Sequence, residues 1–97
     1  MTEENPSHDA VAEQSVLGAM LISRDAIAEV ADVLDGGDFY RPAHETIYRT
    51  ILDVHAAGSP VDAITINDAL TKIGEIARIG GPAYTHELAT TVPSASS

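Results

Sequence analysis

Residues 38–58 read DFYRPAHETIYRTILDVHAAG, and the fold turns on whether this stretch is a single helix. It carries a start signal and a stop signal. Pro42 suits the first helical position, where its missing N–H would have no partner and its fixed φ is already helical. Ile47, Tyr48, Ile51, Val54 and His55 then recur at three- and four-residue steps, the spacing of one helix face. Gly58 closes the helix, and Ser59-Pro60 behind it cannot continue one. Asp38 and Arg41, on either side of Phe39-Tyr40, are placed to cap the helix and orient its first turn, with a binding role for the pair as the secondary reading. An apolar stripe of this kind needs partners, so the neighbouring segments must supply faces that fit it.

Upstream, Asp9 is a plausible N-cap for a helix over residues 10–22. Past Gln14 this helix is nearly all apolar, which points to a central position. Gly18 inside it costs roughly 1 kcal/mol against Ala and marks a place where another helix comes close. Ser23 can cap a second helix over 24–34, with Ile27, Val30, Ala31 and Leu34 on one face and Glu29, Asp32 and Asp35 toward water. Gly36-Gly37 ends it.

Downstream, residues 61–65 are β-branched enough for a short strand, but no second strand exists to pair with them. Thr65 and Asp68 approximate a capping box. Ile66, Ala69, Leu70 and Ile73 fill one helical face that Gly74 stops. Ile76 and Ile79 mark a short turn, and Gly80-Gly81-Pro82 is a break with proline at a helix start. A last helix over 83–91 turns Tyr84 and Leu88 inward. The expected architecture is all-α, a compact orthogonal head of five to six short helices joined by Gly/Pro turns.

Composition narrows the function classes. With 97 residues the chain makes one domain. Fifteen Asp and Glu against five Lys and Arg give a net charge of −10. Nucleic-acid affinity rests on clustered cations. Arg24, Arg41, Arg49, Lys72 and Arg78 are scattered, which argues against direct DNA or RNA binding and favours basic protein partners. The chain has no cysteine. Its start is too polar for a secretory signal, and its longest apolar run, residues 16–22, is too short to span a membrane. A cytoplasmic domain is expected.

No site chemistry stands out. Gly80-Gly81 is followed by proline with no lysine in place, so a phosphate loop is absent. His8, His44, His55 and His86 form no metal-ligand spacing, and His44 and His55 are three helical turns apart. These two lie beside the apolar stripe and read as core-edge residues with one nitrogen hydrogen-bonded. No glycine-elbow serine offers a nucleophile. Catalytic, cofactor and metal residues are expected to be none. Tyr84 reads as core-lining, with a hydroxyl that needs water or a partner.

Four stretches, AEQSVLGAML (12–21), DFYRPAHETIYRTIL (38–52), GSPVDAITI (58–66) and IGGPAYTHELATTVPSA (79–95), together resemble the N-terminal domain of the bacterial replicative DNA helicase, DnaB family. Residues 1–8, small and polar with Pro6, read as a flexible leader, and the resemblance implies a helical head over residues 9–92 and a tail over 93–97 leading to a helical hairpin that the chain lacks. In that family a linker and a RecA-like ATPase follow, and ATP and magnesium belong to that ATPase. The heads form a collar on the hexamer and help to dock primase, so the implied partners are the primase C-terminal domain and other helicase subunits. The family's tyrosine after the Ile-Gly-Gly turn lies near the primase face and matches Tyr84. A free-standing acidic adaptor, such as a phage or plasmid replication regulator built on the same head, is the alternative.

Overall fold

The computed structural model describes residues 10–91. The Asp9 cap, His8, the leader over 1–8 and the tail over 93–97 therefore fall outside the described residues. Five α-helices follow one another: α1 (Ala10–Ile22), α2 (Arg24–Val33), α3 (Pro42–Ala56), α4 (Ala63–Lys72) and α5 (Pro82–Thr91). A 3-10 turn, Gly36–Asp38, joins α2 to the segment before α3. Among the described residues there is no strand, and no helix is long and apolar enough to cross a membrane.

The helix ends follow their local chemistry. Ser23 caps α2 by accepting the Ala26 N–H on its hydroxyl. Pro42 opens α3. At the far end of α3, Ser59 N–H bonds the Val54 carbonyl (3.2 Å) and Gly58 N–H bonds that of His55 (3.0 Å). This double closure, a Schellman motif, needs a left-handed residue, and Gly58 supplies φ +82°. The same pattern ends α4 at Gly74. The capping box of α4 lies three residues earlier than the sequence suggests. Asp62 and Thr65 exchange the bonds, with Thr65 N–H to Asp62 at 2.8 Å and Asp62 N–H to Thr65 at 3.0 Å. Asp62 wins because it can start the helix at Ala63, which buries Ala63 as well as Ile66.

α1 and α3 share the centre. α1 packs most extensively on α5 and also on α2 and α3, while α3 packs on α4, α1, α2 and the 3-10 turn. The core gathers Leu17, Met20 and Leu21 from α1, Ile27 from α2, Ile47, Tyr48 and Ile51 from α3, Ile66 and Leu70 from α4, and Leu88 from α5. Phe39 and Ile79 complete it from the connections. Phe39 lies against Tyr48 with ring centroids 4.8 Å apart. The Tyr48 hydroxyl donates to the Leu34 carbonyl at 2.6 Å and so ties α3 to the end of α2. Burial raises the Tyr48 phenol pKa, and the carboxylates of Asp35 and Asp38 raise it further against the opposing Arg49.

Three apolar residues expected on buried faces are exposed. Ile22 ends α1 at 57% exposure, and Ile73 is 59% exposed. Ile73 is the C-cap of α4, so its backbone has already left the helical path that would point it inward. Ala31 fits the α2 stripe by spacing but is exposed, because the covered part of α2 is the narrower line of Ile27, Val30 and Leu34.

Candidate functional site

Tyr84 sits in the first turn of α5, where the chain arrives through Gly80 and Gly81 with φ of +115° and +88°. Gly81 N–H bonds the Ile76 carbonyl (2.9 Å), and Tyr84 N–H bonds that of Gly81 (3.1 Å). A Cβ on Gly80 would lie 3.4 Å from the Tyr84 Cβ, so glycine there serves both the turn and the approach of the tyrosine. This geometry fixes where the Tyr84 side chain begins. Its other end is fixed by three residues from elsewhere in the chain.

His44, in the first turn of α3, is fully buried. Its Nδ1 lies 2.7 Å from Glu13 Oε1 on α1, and its Nε2 lies 2.5 Å from the Tyr84 hydroxyl on α5. Gln14 Nε2, also on α1, donates to the same hydroxyl at 3.3 Å. The His44 and Tyr84 rings are nearly parallel, 4° apart, with centroids separated by 5.9 Å. The second carboxylate oxygen of Glu13 accepts the Tyr40 N–H at 2.7 Å.

Partial burial pushes the Glu13 carboxyl pKa up. The Tyr40 N–H, the His44 ring and the Arg41 N–H together outweigh that and hold it below the ordinary value of 4.5. Glu13 thereby does for α3 what Arg41 does not. Arg41 occupies the N-cap position without a side-chain cap bond, and an α1 carboxylate meets the positive end of the helix instead. Asp38, the other expected cap, accepts the Asp35 N–H at 2.7 Å and closes the 3-10 turn rather than α3.

A second polar cluster locks α5 to α4. Asn67 Nδ2 donates to the Pro82 carbonyl at 3.2 Å, and the buried Thr85 hydroxyl lies within hydrogen-bond reach of both Asn67 Oδ1 and the Pro82 carbonyl. An open groove of about 510 Å³ lies between the end of α3 and α4, lined by Val54, Pro60, Ile64 and Ala69 with Asp68 and Lys72.

The carboxylate–imidazole–hydroxyl order of Glu13, His44 and Tyr84 has the connectivity of a catalytic triad. The burial is wrong for one. A general base must reach a substrate proton, and the His44 ring is enclosed, with both nitrogens occupied by protein groups. The arrangement fixes side chains. His55 is half-buried and His86 exposed, and no group of three His, Cys, Asp or Glu among the described residues could hold a metal ion.

His44 is thus deeper and better satisfied than a core-edge residue. The Tyr84 hydroxyl has the partner its chemistry demands. Glu13 and Gln14 were not singled out by sequence reasoning, although a signal existed. Glu13 shares a stripe with Leu17, Met20 and Leu21, and His44 shares one with Ile47, Tyr48 and Ile51. An acid and an imidazole at the ends of two apolar stripes are candidates for each other.

A replicative DNA helicase DnaB of Leifsonia xyli subsp. xyli (strain CTCB07) is 51% identical over 94 residues, covering 97% of this chain and 21% of that protein. The replicative DNA helicase DnaB of Mycobacterium leprae (strain TN) is 53% identical over 91 residues, covering 94% of this chain and 15% of that protein. The chain therefore spans about a fifth or less of the length of these relatives. The crystal structure of the N-terminal domain of DnaB helicase from Mycobacterium tuberculosis superposes with a TM-score of 0.88 at 52% identity, over 95% of this chain and 67% of that one. The family model for the DnaB-like helicase N terminal domain matches residues 5–97, and the chain belongs to that family.

Proposed function

We propose that the chain serves as the non-catalytic head of a replicative DNA helicase, supporting assembly of the hexamer collar and docking primase. The observation that carries this reading is the placement of Tyr84. The residue that matches the family's primase-face tyrosine stands half-exposed at the start of α5, held by a buried network. A side chain anchored at its hydroxyl and partly open along its ring suits a docking surface, where an ordered aromatic gives contact area at low entropic cost.

The charge distribution supports a protein partner. Arg49, Lys72 and Arg78 are each paired with a neighbouring carboxylate, Glu45, Asp68 and Glu75 respectively. Within a chain of net charge −10, that leaves little cationic surface for phosphates. ATP hydrolysis and DNA unwinding belong, in this reading, to the part of a full-length helicase that carries the ATPase.

The test is direct binding. The C-terminal region of the cognate primase is titrated into the head and into a Tyr84→Ala variant, with thermal melts run alongside. A loss of affinity at retained folding supports the reading. Unchanged affinity in the variant moves the primase face elsewhere.

A further inference from the structure

The buried network around His44 does more than fill space. A fully buried imidazole must have both nitrogens satisfied. An ionised carboxylate only accepts, so the nitrogen facing Glu13 carries the proton. The other nitrogen lies 2.5 Å from the Tyr84 hydroxyl, and since Gln14 already donates to that oxygen, it is the acceptor that the Tyr84 O–H meets. Gln14 donates to the same phenolic oxygen from the other side at 3.3 Å. The tyrosine's proton is therefore spent inside the head. A half-exposed aromatic in the first turn of a helix would otherwise choose among staggered χ1 wells. Here the hydroxyl tether selects one, and the selection is made by residues of α1 and α3, not of α5.

We propose that His44 is a positioning residue for Tyr84. It takes the Tyr84 proton inward, fixes the ring in one rotamer, and leaves the ring and not the hydroxyl proton for a partner to read. Glu13 acts behind it by fixing the His44 tautomer. This inference rests on the docking role proposed for the Tyr84 face, but its structural half can be measured without any partner.

The experiment compares His44→Asn with His44→Gln in the full chain. An asparagine amide reaches roughly where Nδ1 lies and can keep the bond to Glu13. A glutamine amide reaches roughly where Nε2 lies and can still accept the Tyr84 hydroxyl. Both variants lose a similar amount of ring, so a purely structural role would affect them alike. The readouts are the Tyr84 ring signals in carbon-13 tyrosine-labelled protein and the affinity for the primase C-terminal region.

His44→Asn is expected to average the Tyr84 ring signals and to weaken binding about fivefold or more, the scale of one lost hydrogen bond. His44→Gln is expected to keep both near wild type. Equal changes in the two variants, or an unmoved Tyr84 in His44→Asn, overturn the proposal. If neither variant folds, Gln14→Met decides. It removes only the longer bond, so Tyr84 should stay ordered, and loss of order there would show that His44 is not the holder. If Tyr84→Ala binds primase like wild type, the docking reading fails, while the Asn–Gln contrast in the Tyr84 signals still decides the positioning claim.

Discussion

Replacing Glu13 by leucine isolates the contribution of one carboxylate to three helices. The side chain is nearly the same size, so packing beside Leu17 is kept while every bond to the carboxylate is lost. Two of those bonds are 2.7 Å, from Tyr40 N–H and from His44 Nδ1, and the Arg41 N–H adds a third favourable contact. Tyr40 is exposed, so its N–H can turn to water. His44 cannot, because its ring is fully buried. Its Nδ1–H is left without an acceptor, which costs about 1–3 kcal/mol. Removing a negative charge from the start of α3 adds about 0.3–1 kcal/mol. The expected total at neutral pH is about 1–4 kcal/mol, or roughly 5–30 °C in Tm for a domain of this size.

The pH dependence sharpens the test. The folded Glu13 pKa lies below 4.5, so its stabilisation is complete above the unfolded value and is lost as pH falls through the folded one. Urea unfolding followed by circular dichroism from pH 7 to pH 3 should show the gap between wild type and Glu13→Leu shrinking below about pH 4.5. A gap that stays constant across that range, or no gap at pH 7, would refute the role assigned to the carboxylate.

Ile51 is fully buried on α3, and Ile51→Ala should cost about 2–5 kcal/mol, read as a lower denaturation midpoint at an unchanged slope. Asp62→Ala removes the side-chain half of the α4 capping box and should cost about 0.5–2 kcal/mol by the same assay, whereas Asp68→Ala should cost much less. Tyr48→Phe leaves the Leu34 carbonyl without its 2.6 Å donor, a loss of about 1–2 kcal/mol. Because the Tyr48 pKa is raised above 10.0, its neutral form stabilises the fold below that pH and the benefit fades as pH climbs through the folded value. The phenylalanine variant should lack that alkaline loss in a thermal-melt series.

The helices were legible because their signals are local. Proline at the start of α3, Gly58 behind it, and apolar residues at helical spacing fix an element within its own stretch, and α1 is Ala10–Ile22 as its pattern predicts. The errors also have local causes. Ile73 obeys the α4 periodicity, yet the helix closes one residue earlier through the Gly74 turn, so the side chain points out. Thr65 fits a cap by preceding an acidic residue at the right spacing, but it is the third residue of a helix that Asp62 starts. The polar network was not legible in the same way. No local pattern says that Glu13, His44 and Tyr84 meet across separations of 31 and 40 residues. Only the docking of α1, α3 and α5 decides it.

That long-range origin has a consequence for the docking face. A buried ionic or polar network is a poor source of net stability, since well-packed apolar residues of similar volume often do as well. The α1 stripe could end in another leucine at position 13 and the α3 stripe in a methionine at 44 without breaking either helix. What apolar replacements could not do is fix the direction of the Tyr84 hydroxyl, because dispersion contacts do not discriminate among ring orientations as a short O–H···N bond does. The network also assembles only when all three helices have docked, so Tyr84 reaches its fixed position only in the completed head. Gly80 and Gly81 place the start of the side chain, Glu13 and His44 place its end, and the pair of constraints makes the half-exposed ring a product of the whole fold.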